Sequence, residues 1–282
     1  MQQVLIHVIP IFFALYMYVS LFHKTRLHWA IRGVFLFLFL ISCQYPAFCR
    51  FLFVGYDERV PHLWIVLYFW LFSTQLLLVL ATFAKDFVGL IYRLVRKTKL
   101  PHPTTTAVSL LSIAMLIAAF GSYSALSQPP IYRLDVPIKN LPDSLDGFTI
   151  AQLSDIHASP LLDRSRLVKV VERTNALKPD MVAVTGDIVD GKTEARLQDV
   201  SPLKELHAPY GVFAIEGNHE HYVDYDAWMA TYPTLNMTVL HNSHQILDVN
   251  GAKLAIVGIT DPMAARYHRE YQDIQKAMSG IP

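Results

Sequence analysis

The chain has 282 residues, of which 53% are hydrophobic, and its mean hydropathy is +0.31. This length allows about two domains, and the composition is too apolar for two soluble ones, so part of the chain is expected in a bilayer. The net charge of +1 is unevenly distributed, because residues 1–129 carry 10 Lys and Arg against 3 Asp and Glu, whereas residues 130–282 carry 14 against 20. The acidic second half argues against nucleic acid as a partner, since a phosphate backbone needs a basic face.

Four apolar stretches in the first half approach the roughly 20 residues that a helix needs to cross a bilayer core. These candidate spans cover residues 4–22, 33–48, 63–84 and 106–123. The sequence therefore predicts an N-terminal four-helix transmembrane unit in residues 1–125, followed by a second domain in residues 126–282. Residues 85–99 carry apolar and basic residues at helical spacing, which predicts either a helix along the inner membrane face or an extension of the third span.

The distribution of positive charge predicts the orientation of these spans. Eight Lys and Arg follow the first and third spans, whereas only Arg50 and Arg59 lie between the second and the third. Because loops rich in Lys and Arg stay in the cytoplasm, the amino terminus and the second domain are expected outside it. Residues 122–130 end in two prolines, which predicts a stiff exit that keeps the second domain near the membrane surface.

Three polar clusters in the second half each follow an apolar run that suits a buried strand. The runs cover residues 148–153, 181–185 and 211–215, and the clusters are Asp155-Ile156-His157, Gly186-Asp187-Ile188-Val189-Asp190 and Gly217-Asn218-His219-Glu220. A helical stripe between the first two runs completes the strand–helix–strand pattern of a parallel sheet. Since such sheets gather their ligands at the carboxyl edge, the three clusters are expected side by side.

The rest of the second half predicts a few further elements. Residues 132–138 are interpreted as an edge strand, and residues 224–232 as a helix. A hairpin is expected from residues 244–249 and 253–258, joined by the tight turn Asn250-Gly251. A final helix is expected near residues 267–278.

The residue types in the three clusters indicate a metal site. The carboxylates of Asp155 and Asp187, the imidazole of His157 and the amide oxygen of Asn218 form a hard oxygen and nitrogen set, which suits manganese, iron or zinc. Carboxylates packed this closely would repel unless a cation held them. Two ions about 3.5 to 4 Å apart would activate a water and clamp the oxygens of an in-line phosphoryl displacement. A purely structural role as turn and cap formers would require coincidence at three separate strand ends.

In this order, the motifs D-x-H, G-D-x-x-D and G-N-H-[DE] resemble the calcineurin-like metallophosphoesterases. Residues 141–155, which lead into the first motif, are similar to the corresponding segment of the membrane-anchored bacterial branch of that family. The resemblance covers roughly residues 130–282. It implies an α/β domain, a mixed β-sandwich flanked by helices, with two divalent metal ions.

The resemblance also implies a role for each residue. Asp155 and His157 would bind the first metal, Asp187 would bridge both, and Asn218 would bind the second. His219 would protonate the leaving group or stabilise the transition state, and Asp190 would orient the site from behind the ligands.

The family pattern is only partly present in the sequence. Family members continue with a metal-binding His after a later strand and with a G-H-x-H motif, and neither occurs before Pro282. The remaining candidates are interpreted as surface or packing residues: His221, His241, His244 and His268. No metal role is assigned to Glu220. The domain is therefore expected to be partial, incomplete at its C-terminal end and with about half of a dinuclear site.

Two functional hypotheses follow. The first is a membrane-anchored, metal-dependent phosphoesterase that hydrolyses a phosphate monoester or diester by attack of a metal-activated hydroxide. The short exit from the membrane motivates a lipid-linked phosphate as its substrate. The four apolar stretches and the distribution of positive charge predict a multi-pass protein with its catalytic domain extracytoplasmic, and the resemblance to the bacterial branch implies a bacterial inner (plasma) membrane. The alternative is a catalytically impaired metal-binding membrane sensor or assembly protein.

Overall fold

The computed structural model describes residues 2–45, 47–48, 61–98 and 101–281, with the side chains of residues 2–6 left out. Two compact units divide the chain, one in residues 1–127 and one in residues 128–282. Three of the residues used to predict the orientation, Arg50, Arg59 and Lys99, lie outside the described residues.

The first unit is helical. Its helices are α1 (Gln2–Met17, continued by a π-helical turn at Tyr18–Phe22), α2 (Trp29–Ser42), α3 (His62–Arg96) and α4 (Pro103–Leu126). Among the described residues, α3 and α4 are long and apolar enough to cross a membrane, whereas α1 and α2 are apolar but shorter. Helices of spanning length thus account for two of the four predicted spans.

Helix α3 is longer than the predicted third span. It continues without a break through residues 85–96, so these residues extend the third helix, one of the two alternatives left open by the sequence. A helix of 35 residues is about 50 Å long, which exceeds the hydrocarbon thickness of about 30 Å. Asp86 in this extension pairs with Lys85 at 2.8 Å and accepts hydrogen bonds from the hydroxyls of Tyr16 and Ser20, each at 2.6 Å.

Apolar packing joins the helices of the first unit. The shared core consists of residues from all four helices and their turns, namely Ala14, Met17, Leu21, Phe22, Phe39, Cys43, Leu78, Val79, Ala107 and Ala114. Large apolar side chains also point away from this core, among them Phe12, Phe37, Leu80, Leu116 and Phe120. In an aqueous protein such exposure would be unfavourable, and it is the pattern expected of helices that face lipid.

The second unit contains a four-stranded parallel sheet in the order β1-β2-β3-β4. The sequence predicted a parallel sheet that contains the first three of these strands. Its strands are β1 (Ile150–Leu153), β2 (Met181–Thr185), β3 (Val212–Ile215) and β4 (Thr238–Val239). The connecting helices are α5 (Arg164–Ala176), α6 (Thr193–Val200), α7 (Asn218–Tyr222) and α8 (Tyr225–Thr231). An antiparallel hairpin, β5 (Ser243–Val249) and β6 (Ala252–Gly258), and helix α9 (Ile274–Met278) follow.

Both faces of the sheet are covered. On one face, Val182 and Val184 of β2 pack with Leu167 and Val171 of α5 and with Trp228 of α8. The alternate residues of β2 point to the other face, where Met181 packs in a cluster that includes residues of the hairpin, Leu247 and Ile256. Sheet and hairpin together give an α/β domain whose loops are held by a packed core.

The predicted hairpin is confirmed, the predicted edge strand is wrong, and the predicted final helix is shorter than expected. Asn250 (φ +52°) and Gly251 (φ +88°) form the tight turn between β5 and β6. Residues 132–138 are in no strand, and Tyr132 is 87% exposed, because alternation alone does not make a strand without a partner for its backbone. The final helix is reduced to α9, since the side chain of Asn242 donates to the carbonyl of Tyr271 and accepts from the amide of Asp273, which holds the preceding segment non-helical.

Candidate metal centre

The loops after β1 and β2 are joined by backbone hydrogen bonds at the carboxyl edge of the sheet. The amides of His157 and Ala158 donate to the carbonyls of Asp187 and Ile188 over 3.0 and 2.8 Å. The first two polar clusters of the sequence are therefore adjacent in space.

Three residues of these loops adopt the left-handed backbone conformation. The φ angles are +54° at Asp155, +46° at His157 and +51° at Asp187. A residue other than Gly in this region is uncommon, and strained conformations of this kind cost on the order of 1–3 kcal/mol each. Such strain persists only where the surroundings enforce it, and it is concentrated at functional sites.

Two glycines bring the loop after β3 against the loop after β2. Gly186 has a φ of +83°, and a Cβ added there would lie 2.5 Å from the nitrogen of Gly217 and 2.7 Å from its Cα. A Cβ at Gly217 would in turn overlap the carboxylate of Asp187. The third cluster can therefore approach Asp187 only because neither position carries a side chain.

Gly186→Ala is expected to lower the free energy of unfolding by more than about 2 kcal/mol, because it combines a strained φ with a backbone clash. Gly251→Ala is the matched control, since Gly251 has a similar φ of +88° but no atom within 4 Å of an added Cβ. Only the conformational strain of about 1 kcal/mol is expected for the control. Thermal unfolding of the two variants measures the difference, and equal losses would contradict the close approach at Gly186.

A buried carboxylate fixes the same two loops. The side chain of Glu220 is fully buried. Its Oε2 accepts from the amides of Asp187 at 3.1 Å and Gly217 at 2.8 Å, and its Oε1 accepts from the amide of Ile188 at 2.7 Å and the hydroxyl of Tyr232 at 2.8 Å. Glu220 thus sets the separation between the second and third clusters.

Asp190 lies between two imidazoles. Its Oδ1 is 3.2 Å from Nδ1 of His157 and 2.5 Å from Nδ1 of His219. An ionised carboxylate can only accept, so each ring donates from Nδ1 and directs Nε2 away from Asp190. Fixing a ring in this way is how a carboxylate behind a metal-binding His orients its ligand atom.

The charges of this cluster shift two pKa values. The hydrogen bond to Asp190 raises the pKa of His157, against the opposing effect of burial. Burial by itself raises the pKa of the Asp190 carboxyl, but the hydrogen bond from His157 and the charges of both imidazoles outweigh it, and the pKa is lowered. Asp190 is therefore held ionised as the acceptor for both rings.

His157, Asp187 and His219 each offer a donor atom, and these three atoms lie within 4.8 Å of one another. The rings of His157 and His219 meet edge to face with centroids 4.4 Å apart, and the amide of His219 donates to Asp187 Oδ1 at 2.9 Å. Two imidazole nitrogens and a carboxylate oxygen are suitable ligands for a divalent transition-metal ion. The residues present therefore fit a metal ion. The resemblance gives His219 a different role, which is to protonate the leaving group or stabilise the transition state.

Asp155 and Asn218 line a cleft of about 260 Å³ that Asp187 also borders. Asp155 is about two-thirds exposed, and its Oδ1 is 3.8 Å from Nε2 of His157. The amide nitrogen of Asn218 donates to the hydroxyl of Tyr222 at 2.6 Å, which leaves the amide oxygen as the free acceptor. The predicted site residues are thus close together, and their individual roles stay predictions.

Two features of this region escaped sequence reasoning. Glu220 was given no role, although its place in the G-N-H-[DE] motif, three residues after a loop glycine, is the signal for a carboxylate that caps backbone amides. Glu216 carried no signal at all. Of the remaining histidines, His221 stacks on Tyr225 with ring centroids 4.4 Å apart, and Nδ1 of His244 lies 2.7 Å from the carbonyl oxygen of Ala277.

The fold and the site define the second unit as an α/β domain with a candidate metal centre at the carboxyl edge of a parallel sheet. Residues 148–275 match the family described as calcineurin-like phosphoesterase. The second unit is therefore a calcineurin-like metallophosphoesterase domain, as the motifs predicted.

Curated relatives agree with this assignment. A Caenorhabditis elegans protein named as a metallophosphoesterase is 37% identical over 161 residues, which is 56% of this chain and 33% of that protein. A zebrafish protein named as a transmembrane protein with a metallophosphoesterase domain is 27% identical over 259 residues, which is 88% of this chain and 58% of its own length. The Bacillus subtilis metallophosphoesterase YkuE is 38% identical over 130 residues, 44% of each chain. The chain thus spans between a third and about three-fifths of these relatives, and no solved structure matches it.

Proposed function

We propose that the chain is a membrane-anchored phosphoesterase that depends on two divalent metal ions, manganese, iron or zinc. The observation that carries this proposal is the cluster of His157, Asp187 and His219 beside Asp155 and Asn218, inside a domain of the metallophosphoesterase family. When bound, the ions would lower the pKa of a water and neutralise charge on the phosphate.

The chain's own residues would divide the work as the motifs suggest. Asp155 and His157 would hold the first ion, Asp187 would bridge both, and Asn218 would offer its amide oxygen to the second. His219 would donate its Nε2–H to the leaving oxygen while its Nδ1–H remains hydrogen-bonded to Asp190 Oδ1. A proton transfer of this kind contributes about 10²–10⁴-fold. Asp190 would fix the orientation of the His157 and His219 rings through its hydrogen bonds to their Nδ1 atoms.

His219→Gln separates proton donation from metal binding. A proton donor predicts that the metal content of this variant is unchanged while kcat falls about 10²–10⁴-fold. Loss of a metal ion from the variant would instead make His219 a ligand, the reading that its distance to His157 and Asp187 also permits.

The substrate and its location are part of the proposal. Helices α3 and α4 favour a position in a membrane, and the distribution of Lys and Arg favours a domain on the extracytoplasmic side of a bacterial inner membrane. An enzyme in a bilayer encounters lipids at high local concentration, so the proposed substrate is a phosphate ester linked to a lipid.

The full chain in detergent, loaded in turn with Mn²⁺, Fe²⁺ or Zn²⁺, would be assayed against phosphate monoesters and diesters, both free and on lipids in micelles. The proposal expects hydrolysis with at least one ion and faster turnover of the lipid-linked esters. Equal rates of hydrolysis for free and lipid-linked esters would contradict only the proposed lipid-linked substrate. Bound metal with no hydrolysis of any ester would contradict the enzyme and favour the sensor or assembly protein.

A further inference from the structure

Glu216 is a buried carboxylate that no described residue engages in a well-formed hydrogen bond, although the backbone amides of Glu216 and Asp261 approach it. It follows β3 and directly precedes Gly217, and its side chain is fully buried. Within the described part of the chain, neither of its oxygens has a partner in hydrogen-bond geometry. An ionised carboxylate in such a place is costly unless a cation compensates it, so its surroundings have to supply one.

Two imidazoles face this carboxylate. Nε2 of His221 is 3.9 Å and Nδ1 of His241 is 3.5 Å from the same Oε1 of Glu216. His221 is itself fully buried, and neither of its nitrogens has a hydrogen-bond partner among the described residues. These separations exceed those of hydrogen bonds, which are about 2.7–3.2 Å. They approach the distance of about 3.3 Å between two ligands of one tetrahedral zinc ion with bonds of about 2.0–2.1 Å.

The surroundings of His221 and His241 suit binding of a cation. Burial lowers the pKa of His221, which keeps that ring neutral and able to offer a lone pair. On the far side of His241, Nε2 is 3.5 Å from Oε2 of Glu270. A carboxylate behind one imidazole nitrogen is the arrangement that orients the other nitrogen toward a metal.

We propose that Glu216, His221 and His241 bind one divalent transition-metal ion, preferably zinc. None of the three is among the ligands proposed for the first centre, although Glu216 borders the same cleft as Asp155 and Asp187. One carboxylate and two imidazoles are a zinc-binding set in proteins. The donor atoms of these three described residues do not all lie within 4.8 Å of one another. Binding of the ion would therefore move the two imidazoles closer together. His241, a third of whose side chain is exposed, is the ring with room to turn.

The competing explanation needs no ion. A protonated His241 would lie between Glu216 and Glu270 and compensate both carboxylates. In that case the cluster binds no metal, and removing the charge of Glu216 destabilises the domain because it breaks the pair.

Metal content decides between the two. The full chain in detergent would be stripped of metal with a chelator, reloaded with Zn²⁺ and dialysed. The number of zinc ions per chain would then be measured for Asp187→Asn and for two double variants, which add Glu216→Gln or His241→Gln to it. The proposal expects one ion fewer in each double variant. The control adds His207→Gln, which alters an exposed histidine of the same unit and should change nothing. Equal counts in all variants would overturn the proposed site.

The unfolding temperature is a second measurement, and it does not depend on counting bound ions. Gln has nearly the shape of Glu, so the metal-free Glu216→Gln chain should unfold at the same or a higher temperature than its parent. Added Zn²⁺ should raise the unfolding temperature of Asp187→Asn but not of Asp187→Asn with Glu216→Gln. A lower temperature for the metal-free double variant, or an undiminished zinc shift, would overturn the proposal. Neither readout uses hydrolysis, so the site stands or falls separately from the proposed function.

Discussion

Asp187→Asn is expected to lower kcat/KM for phosphate-ester hydrolysis by at least about 10³-fold, because it removes a negative ligand from the centre of the site. A carboxylate oxygen of Asp187 lies within 4.8 Å of a ring nitrogen of His157 and of His219. The carboxylate also accepts a hydrogen bond from the amide of His219 and borders the cleft with Asp155 and Asn218. Asparagine keeps the shape but removes the charge, so the fold should be retained while metal is lost. Steady-state kinetics with parallel metal analysis measures both quantities.

The control for this variant is Asp226→Asn. Asp226 belongs to the same unit, but its side chain is 93% exposed and its ion pair with Arg269 is 4.0 Å long. Activity and metal content should be those of the parent chain, since exposed pairs contribute little. If Asp187→Asn were as active as this control, the proposed metal centre and the proposed phosphoesterase activity would both be contradicted.

Glu220→Ala is expected to cause the largest loss of stability of the variants considered. It leaves the amides of Asp187, Ile188 and Gly217 and the hydroxyl of Tyr232 without their acceptor in a fully buried place. Three of these four donors are buried, and the amide of Asp187 is half-buried. Each unsatisfied buried donor costs about 1–3 kcal/mol, so the three buried ones alone cost at least about 3 kcal/mol. For a domain of this size that corresponds to a fall of about 6–12 °C in unfolding temperature.

Tyr232→Phe separates the contributions. It removes only the hydroxyl that donates to Oε1, so a loss of about 1 kcal/mol is expected. Glu172→Ala, at an exposed position of α5, is the control for the loss of a glutamate as such and should change stability little. If Glu220→Ala unfolded at the temperature of this control, the carboxylate would not hold the two loops together.

The parts of the fold that follow from local pattern were predictable. The runs at residues 181–185 and 211–215 are strongly apolar, and they became adjacent parallel strands with the polar clusters at their carboxyl ends. Asn250-Gly251 specifies its own turn, so the hairpin followed from two residues. The grouping of Asp155, Asp187 and Asn218 around one cleft was likewise accessible, because the topology of a parallel sheet fixes which ends meet.

What depends on contacts distant in sequence was not predictable. Residues 132–138 alternate like a strand, but nothing in their own pattern tells whether a neighbouring edge will accept them. The final helix was overestimated because Asn242, about thirty residues earlier, ties down the segment before it. For the same reason the partners of Glu216 were hidden: His221 follows closely in the chain, whereas His241 arrives from a different loop.

The interlocking of the three loops limits how this centre could be engineered. Backbone hydrogen bonds tie the first loop to the second, and the contact of Gly186 with Gly217, together with Glu220, ties the second to the third. A graft of any single loop into another scaffold would lose the partner that enforces its left-handed residues. Transplantation would succeed only for all three loops at once, carried with Glu220 and the strands on which they stand.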